Sequence, residues 1–384
     1  MQLPMKIAIV FGTRPEAIKL APLYLQLKKE PAYFEPLLWV TGQHRQMLDQ
    51  VMATFHLVPD RDFNLMKPGQ SLTDVTCAVL THLQDAFAEQ RPDLLIVQGD
   101  TTTVFAGALA AFYARIPVGH VEAGLRTWNR HSPWPEEINR QLSSSLAELH
   151  FAPTAKAREN LLRTNIDERA IWVTGNTVID ALDIVVKQVS EKPPAFADDF
   201  PLDLLADGRR MVLVTGHRRE SFGSGFENIC QALLTLSRKY SDTEFIYPVH
   251  MNPNVRKPVN DILRGQHNIH LIEPLAYENF VWAMNRAYFL LSDSGGVQEE
   301  APHLGKPVIV MRDTTERPEA IEAGTSLLAG TDREKIISSC STLLEDDNAY
   351  KAMSLAANPF GDGQASVRIA EAIKEHFHLF SERP

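Results

Sequence analysis

The sequence predicts an α/β fold built from two doubly wound domains, and three observations carry that prediction. Short continuous apolar runs, such as Ile7–Phe11, Leu94–Val97 and Met211–Thr215, read as strands buried on both faces. Segments with apolar residues at three- and four-residue spacing alternate with these runs, which is the pattern of a parallel sheet with crossover helices. The alternation breaks over residues 191–208 (EKPPAFADDFPLDLLADG), rich in prolines and acids, and then restarts. That segment reads as the surface connection between domains.

Taken in order, strand Ile7–Phe11 ends in Gly12-Thr13-Arg14-Pro15-Glu16, with Pro15 suited to the start of a helix that buries Ile18, Leu20, Leu23 and Leu27. A second strand, Pro36–Thr41, leads through Gly42-Gln43-His44 into another helix. Ser71 and Asp74 have the spacing of a capping box, followed by Val75, Val79, Leu83 and Phe87 on one helical face. Strand Leu94–Val97 ends in Gln98-Gly99-Asp100, and strand Val118–Val121 ends in Glu122. A helix beginning near Pro135 carries Glu136, Glu137 and Arg140. In the second half, strand Met211–Thr215 meets the loop Gly216-His217-Arg218-Arg219, and strand Phe245–Val249 meets His250. Strands Ile269–Ile272, Tyr288–Leu291 and Val308–Met311 complete a second sheet. A last helix, about Ala365–His378, is long enough to return to the first domain, so the domains are expected over 1–177 with 364–384, and over 178–363.

Composition bounds the function. A chain of 384 residues can build two cores, and 44% hydrophobic with 22% charged residues is ordinary for a soluble enzyme. The net charge of −10 argues against a nucleic-acid partner or an acidic membrane surface, though not against a small anion bound by local donors. Cys77, Cys230 and Cys340 lie far apart and fit a reducing compartment. The thirteen histidines lack H-x-x-x-H spacing, so no metal site is expected. The start of the chain lacks a signal peptide's layout, and no apolar run approaches the roughly 18 residues of a membrane span. The expectation is a cytoplasmic protein.

Ligands of doubly wound sheets sit beyond the carboxyl ends of the strands, where Arg14, Gln43, Asp100 and Glu122 fall. Asp100, Glu122 and Glu136 are acid/base candidates if they converge; Asp100 equally suits an N-cap, and Glu136 or Glu137 a first-turn partner of the helix dipole. Arg14 suits an oxygen anion, with Lys19 one turn on, and both equally suit solvated helix charges. His217 beside two arginines suits a phosphate or leaving group. In Tyr288–Lys306 a buried strand runs into Ser292-Asp293-Ser294-Gly295-Gly296 and a helix carrying Val297, Ala301 and Leu304. Free backbone N–H groups and absent Cβ atoms suit that turn to phosphate, and plain strand–helix architecture accounts for it equally; an acid of the Glu299-Glu300 pair is placed to reach ribose hydroxyls. The charged run Arg312–Glu319 follows the next strand, beside the same turn, and equally suits a solvated loop. The layout is two Rossmann-like domains of glycosyltransferase-B-like type, with the active site expected in the interdomain cleft.

The strings FGTRPEAIK (Phe11–Lys19), GDTTT (Gly99–Thr103), HVEAGLRT (His120–Thr127), PEEINR (Pro135–Arg140), GHRRES (Gly216–Ser221), SDSGGVQEEAP (Ser292–Pro302) and RDTTERPEA (Arg312–Ala320) occur in this order. Together they resemble the non-hydrolysing bacterial UDP-N-acetylglucosamine 2-epimerase family over nearly the whole chain. The resemblance implies reversible conversion of UDP-GlcNAc to UDP-ManNAc without a cofactor, by elimination of UDP to a 2-acetamidoglucal and re-addition, supplying precursors for surface polysaccharides. It implies catalytic roles for Asp100, Glu122, Glu136 and His217. It further implies phosphate contacts from Ser294, Gly295 and Gly296, a ribose contact from Glu300, a uracil-side contact from Phe280, and substrate contacts from Arg14, Lys19 and Arg317. Gln43, Gln46 and His250 match an activator site for UDP-GlcNAc that some members carry; Gly69 stands where those members have arginine, and Leu275 where some have glutamine. A homodimer is implied by the family alone. Two other readings fit the same nucleotide site: a transferase with an acceptor cleft, and a nucleotide-sugar sensor without turnover.

Overall fold

The computed structural model describes residues 3–42, 45–67, 69–197, 199–203 and 208–379, with the side chains of 45–47 outside that description. The chain divides into two compact units, Met1–Ile184 with Phe360–Pro384, and Val185–Pro359. The first boundary falls inside one helix, Thr177–Glu191.

Among the described residues, the first unit is a seven-stranded sheet. Its strands are β1 (Met5–Phe11), β2 (Phe34–Val40), β3 (Arg61–Asp62), β4 (Leu94–Gln98), β5 (Val118–Val121), β6 (Leu149–Ala152) and β7 (Ile171–Val173), in the order β3-β2-β1-β4-β5-β6-β7. Every pair is parallel. The apolar runs become central strands because helices cover both faces: Val10, Trp39, Leu95, Val97 and Val118 meet Leu83 and Phe87 of the helix Leu72–Glu89 in one core. Burying each such side chain contributes about 1.5–3 kcal/mol. The Ser71–Asp74 capping box forms as the sequence predicts.

The second unit carries β8 (Arg210–Thr215), β9 (Thr243–Pro248), β10 (Ile269–Ile272), β11 (Phe289–Ser292), β12 (Val308–Val310) and β13 (Ser326–Leu328), again all parallel, in the order β10-β9-β8-β11-β12-β13. Val214, Phe226, Tyr247, Phe289, Leu291 and Ile309 lie in its core.

The segment 191–208 is more than a surface connection. Phe196 and Phe200 pack on Trp282 with ring centroids 4.9 and 5.9 Å away, and the Ala195 carbonyl accepts from Asn279 Nδ2 at 2.7 Å. Its aromatic residues supply burial that its prolines and acids obscure. The helix after the Gly-Gly turn is also shorter than its periodicity implies. It spans Gly295–Glu300 and passes into a 3-10 turn, Ala301–Leu304, where Pro302 removes a backbone donor. The last helix is Ala365–His376, and its Lys374 Nζ meets Oε2 of Glu30, two residues beyond the end of the helix Arg14–Lys28, at 2.8 Å.

Candidate active site

Strand order fixes where each unit has room for a ligand. In the first unit the winding reverses between neighbours β1 and β4, and in the second between β8 and β11. Loops leaving such a pair diverge and open a crevice at the carboxyl ends of the strands.

In the first unit the β1 loop opens the helix Arg14–Lys28. Glu16 turns back on it, accepting from the backbone N–H of Gly12 (3.1 Å) and Thr13 (2.8 Å), and its other oxygen accepts from Thr101 Oγ1 at 2.8 Å. It thereby ties the β1 loop to the β4 loop. Burial raises its pKa in spite of these donors. Glu122, after β5, is buried and sits at φ +62°, a left-handed conformation that costs a residue bearing a Cβ on the order of 1 kcal/mol or more. Its carboxylate accepts from Lys19 Nζ (2.5 Å), Asn176 Nδ2 (3.1 Å) and Gln98 Nε2.

Asp100 is not an N-cap. Thr101 caps the helix Thr102–Tyr113, its hydroxyl accepting from Val104 N–H. Asp100 Oδ2 instead accepts from Arg140 Nε at 2.8 Å and meets Arg140 Nη2 at 2.7 Å, while its carbonyl accepts from Asn139 Nδ2. Both partners lie on the helix Glu136–Leu146, so one helix delivers Glu136 and anchors Asp100. Glu136 is half-buried, and its side chain has no hydrogen bond or ion pair among the described residues. Its neighbour Glu137 is fully buried and accepts from Thr127 N–H, Trp128 N–H, Gln141 and Arg140. Burial pushes the Glu137 pKa up, but these donors outweigh it and hold the carboxyl below its ordinary value. The two adjacent acids thus divide: Glu137 holds the preceding loop, and the Glu136 side chain has no partner among the described residues.

In the second unit, Thr215 and Ser292 end β8 and β11 in register, their hydroxyls 2.6 Å apart. Asp293 follows, fully buried, with one oxygen accepting from the backbone N–H groups of His217 (2.7 Å) and Arg218 (2.8 Å). Its other oxygen lies at ion-pair distance, 3.2 Å, from His217 Nδ1. The His217 ring is 42% exposed, so an inward partner orients an outward-facing imidazole. It stacks on His250, centroids 5.5 Å apart, beside an open cleft of about 410 Å³ lined by His217–Glu220, His250 and Asn252. Burial and the neighbouring His217 lower the His250 pKa.

The Gly295 position is shaped by what lies against it. A Cβ there would meet the Arg317 guanidinium carbon at 3.0 Å, and Arg317 Nε donates to the buried Glu299 at 2.8 Å. Glu299 therefore positions Arg317 against the turn, whereas Glu300 Oε1 accepts from Tyr277 Oη at 3.3 Å. Phe280 lies one turn beyond Tyr277 on the helix Tyr277–Arg286 and is half-buried. Arg312 spans Glu220 (2.6 Å) and Glu316 (2.6 and 3.1 Å), joining the His217 loop to the segment that bears Arg317. Burial opposes ionisation of Glu316, yet Arg312 brings its pKa down to about 2.

Of the residues singled out from the sequence, Lys19 and Glu122 are brought together, and Asp100 and Glu136 share one helix as anchor and source. His217 is joined to Asp293, and Gly295 to Arg317. Arg14 is half-buried at the head of the first helix. Gln43 and the Gln46 side chain lie outside the described residues. Sequence reading did not single out Glu16, Gln98, Asn176, Asp293, Tyr277 or the Arg312–Glu316 pair as site residues. Asp293 and Glu16 stand inside the quoted strings, but their partners lie 76 and 85 positions away in the chain.

Similarity to known proteins agrees with this geometry. A family model described as UDP-N-acetylglucosamine 2-epimerase matches residues 26–374. The chain is 57% identical over 375 residues to the UDP-N-acetylglucosamine 2-epimerase of Escherichia coli K12, covering 97% of this chain and 99% of that one. The chain belongs to the UDP-N-acetylglucosamine 2-epimerase family. Solved epimerases share its fold. The Neisseria meningitidis UDP-GlcNAc 2-epimerase, bound to UDP-GlcNAc, superposes with a TM-score of 0.87 at 48% identity, covering 97% of this chain and 100% of that one. The Methanocaldococcus jannaschii epimerase, in complex with UDP-GlcNAc and UDP, gives 0.79 at 34% identity, covering 97% and 100%. The fold class is accordingly the glycosyltransferase-B-like one of these epimerases, with two Rossmann-like units.

Proposed function

We propose that the protein interconverts UDP-N-acetylglucosamine and UDP-N-acetylmannosamine by inverting C2 of the sugar. The observation that carries this reading is the pair Asp100 and Glu122. They follow neighbouring strands β4 and β5, Gln98 at the end of β4 donates to Glu122, and each acid stands against a cation, Arg140 or Lys19. The C2 hydrogen has no adjacent carbonyl to acidify it, so direct proton abstraction is too slow. Elimination avoids that barrier. A carboxylate takes the C2 proton, the C1–O bond breaks, and its electron pair leaves with the UDP oxygen, producing a 2-acetamidoglucal. A proton then reaches the opposite face of C2 and the UDP oxygen re-forms the bond to C1. No electron is lost or gained overall, and no cofactor is required.

Asp100, Glu122 and Glu136 serve the proton transfers. The turn Ser294-Gly295-Gly296 receives the diphosphate, with His217 beside it, and Arg14, Lys19 and Arg317 contact the substrate. Glu300 contacts the ribose and Phe280 the uracil. His250, with Gln43 and Gln46, belongs to the activator site the resemblance implies. The same reading includes a cytoplasmic homodimer; a single-chain mass by sedimentation equilibrium counts against the dimer.

Incubation with UDP-GlcNAc in deuterated water, followed by proton NMR, tests the reading. Deuterium at C2 of both epimers is expected. Recovery of unlabelled UDP-GlcNAc alone sinks it, and consumption only when a sugar acceptor is added turns the reading to a transferase.

A further inference from the structure

We infer that His120 is a positioning residue for the proton transfers, clamping the turn that carries Asp100 to the segment that carries Glu122. His120 lies in β5, two residues before Glu122, and is 1% exposed. Its Nε2 is 2.7 Å from the carbonyl oxygen of Gly99. A carbonyl only accepts, so Nε2 bears the hydrogen and donates it. The N–H of the same glycine donates to the Val121 carbonyl at 3.0 Å. Both backbone polar groups of Gly99 are therefore held by consecutive residues of β5. Gly99 adopts φ +81°, a conformation that a glycine supplies at little cost but does not lock by itself. The peptide joining it to Asp100 cannot pivot without breaking the His120 bond. One buried imidazole thus ties the turn that carries Asp100 to the strand that leads to Glu122.

The chemistry of the donor suits this place. Asp100 and Glu122 face the ring and favour its protonation, while Arg126 opposes it and His150, its register partner on β6, is also buried. Burial dominates and lowers the His120 pKa to about 4, so the clamp is neutral near pH 7. A neutral donor holds the turn without adding a fixed charge beside groups that must gain and lose protons. The main-chain path from His120 to Glu122 is two residues, and burial leaves the ring no contact with solvent or substrate. The role is one of placement.

This inference rests on the reading of Asp100 and Glu122 as acid/base groups, and steady-state kinetics with UDP-GlcNAc separate the two. A wild-type protein that does not epimerise overturns both. With an active wild type, His120→Phe keeps the bulk and loses the donor, while His120→Gln restores an amide N–H at similar reach. We expect kcat to fall on the order of 10-fold or more in His120→Phe, the scale of a displaced catalytic group, with KM within about 2-fold and the kcat–pH profile shifted. His120→Gln should recover most of the loss. Unchanged kcat in His120→Phe, or an equal loss in His120→Gln, overturns the inference. Where Phe is not tolerated in the fold, as a melting curve shows, His120→Asn, too short to reach Gly99, replaces it, and full turnover in that variant overturns the inference as well.

Discussion

Asp293 accepts the backbone N–H groups of His217 and Arg218 at a single oxygen and sets its other oxygen 3.2 Å from the His217 ring. One buried carboxylate thus fixes both the loop and the imidazole it presents. Replacing it with Asn keeps the shape but removes the charge that those donors share. Asp293→Asn should lower turnover by about 10²-fold, the scale for a displaced group in an active site. It should also cost about 1.5–3 kcal/mol of stability at neutral pH, the range for hydrogen bonds to a charged group.

The sign of its pH dependence follows from its ionisation. Burial pushes Asp293 up, but His217 and the two N–H groups hold it below 3.8. Its contribution is therefore complete above the unfolded value and is lost as pH falls below 3.8 through the native one. Melting curves of the wild type and Asp293→Asn should converge in acid. A difference that persists unchanged at pH 2 would show that the charge is not what stabilises the loop.

Glu136 and Glu137 give a sharper contrast, because the residues are adjacent and only one is partnered among the described residues. Glu136→Gln should cut kcat by about 10²-fold and leave the melting temperature unchanged. Glu137→Gln leaves Arg140 paired with Asp100 but removes the charge that the Thr127 and Trp128 N–H groups share, and should destabilise by about 1.5–3 kcal/mol. Thermal denaturation read beside initial rates checks both, and the reverse pattern would exchange the two roles.

The sequence made the central strands and turns legible, since an apolar run followed by Gly, Asp or Glu is a local signal. Strands β3, β6, β7 and β13 are not, because two to four residues carry too little periodicity. The segment around Phe196 and Phe200 reads as a connection because its prolines mask aromatics that pack on Trp282, over 80 positions away in the chain. Likewise the candidate acids were visible as types, but their separation into free and structural groups was not. Glu137 gains its role from Thr127 and Trp128, and His217 from Asp293, contacts that no spacing rule supplies.

His120 and His150 make the first unit acid-sensitive. Burial holds their native pKa values to about 4 and about 3, against an ordinary 6.5. Both therefore favour the folded state fully above pH 6.5, and that contribution disappears as pH falls toward those native values. Melting temperature should drop steeply between pH 6.5 and 4, and His150→Phe should flatten the drop. An unaltered slope in that variant would remove His150 from the explanation.

The last helix is capped from a distance. Gln364 makes no side-chain cap, and Asp180 instead accepts from Ala365 N–H (3.1 Å) and Ser366 N–H (2.7 Å). Asp180→Ala should cost about 1–2 kcal/mol, the scale of a lost N-cap. Hydrogen exchange should speed up first at residues 365–368, and uniform protection along the helix would contradict the assignment.

The claim at the centre is that UDP leaves the sugar and returns to it. UDP-GlcNAc carrying heavy oxygen only in the bridge between C1 and the β-phosphorus tests it directly. Elimination frees that oxygen to exchange places with its neighbours on the phosphorus, so label should appear in non-bridging positions of recovered substrate. Epimerisation with all of the label still in the bridge would contradict departure of UDP.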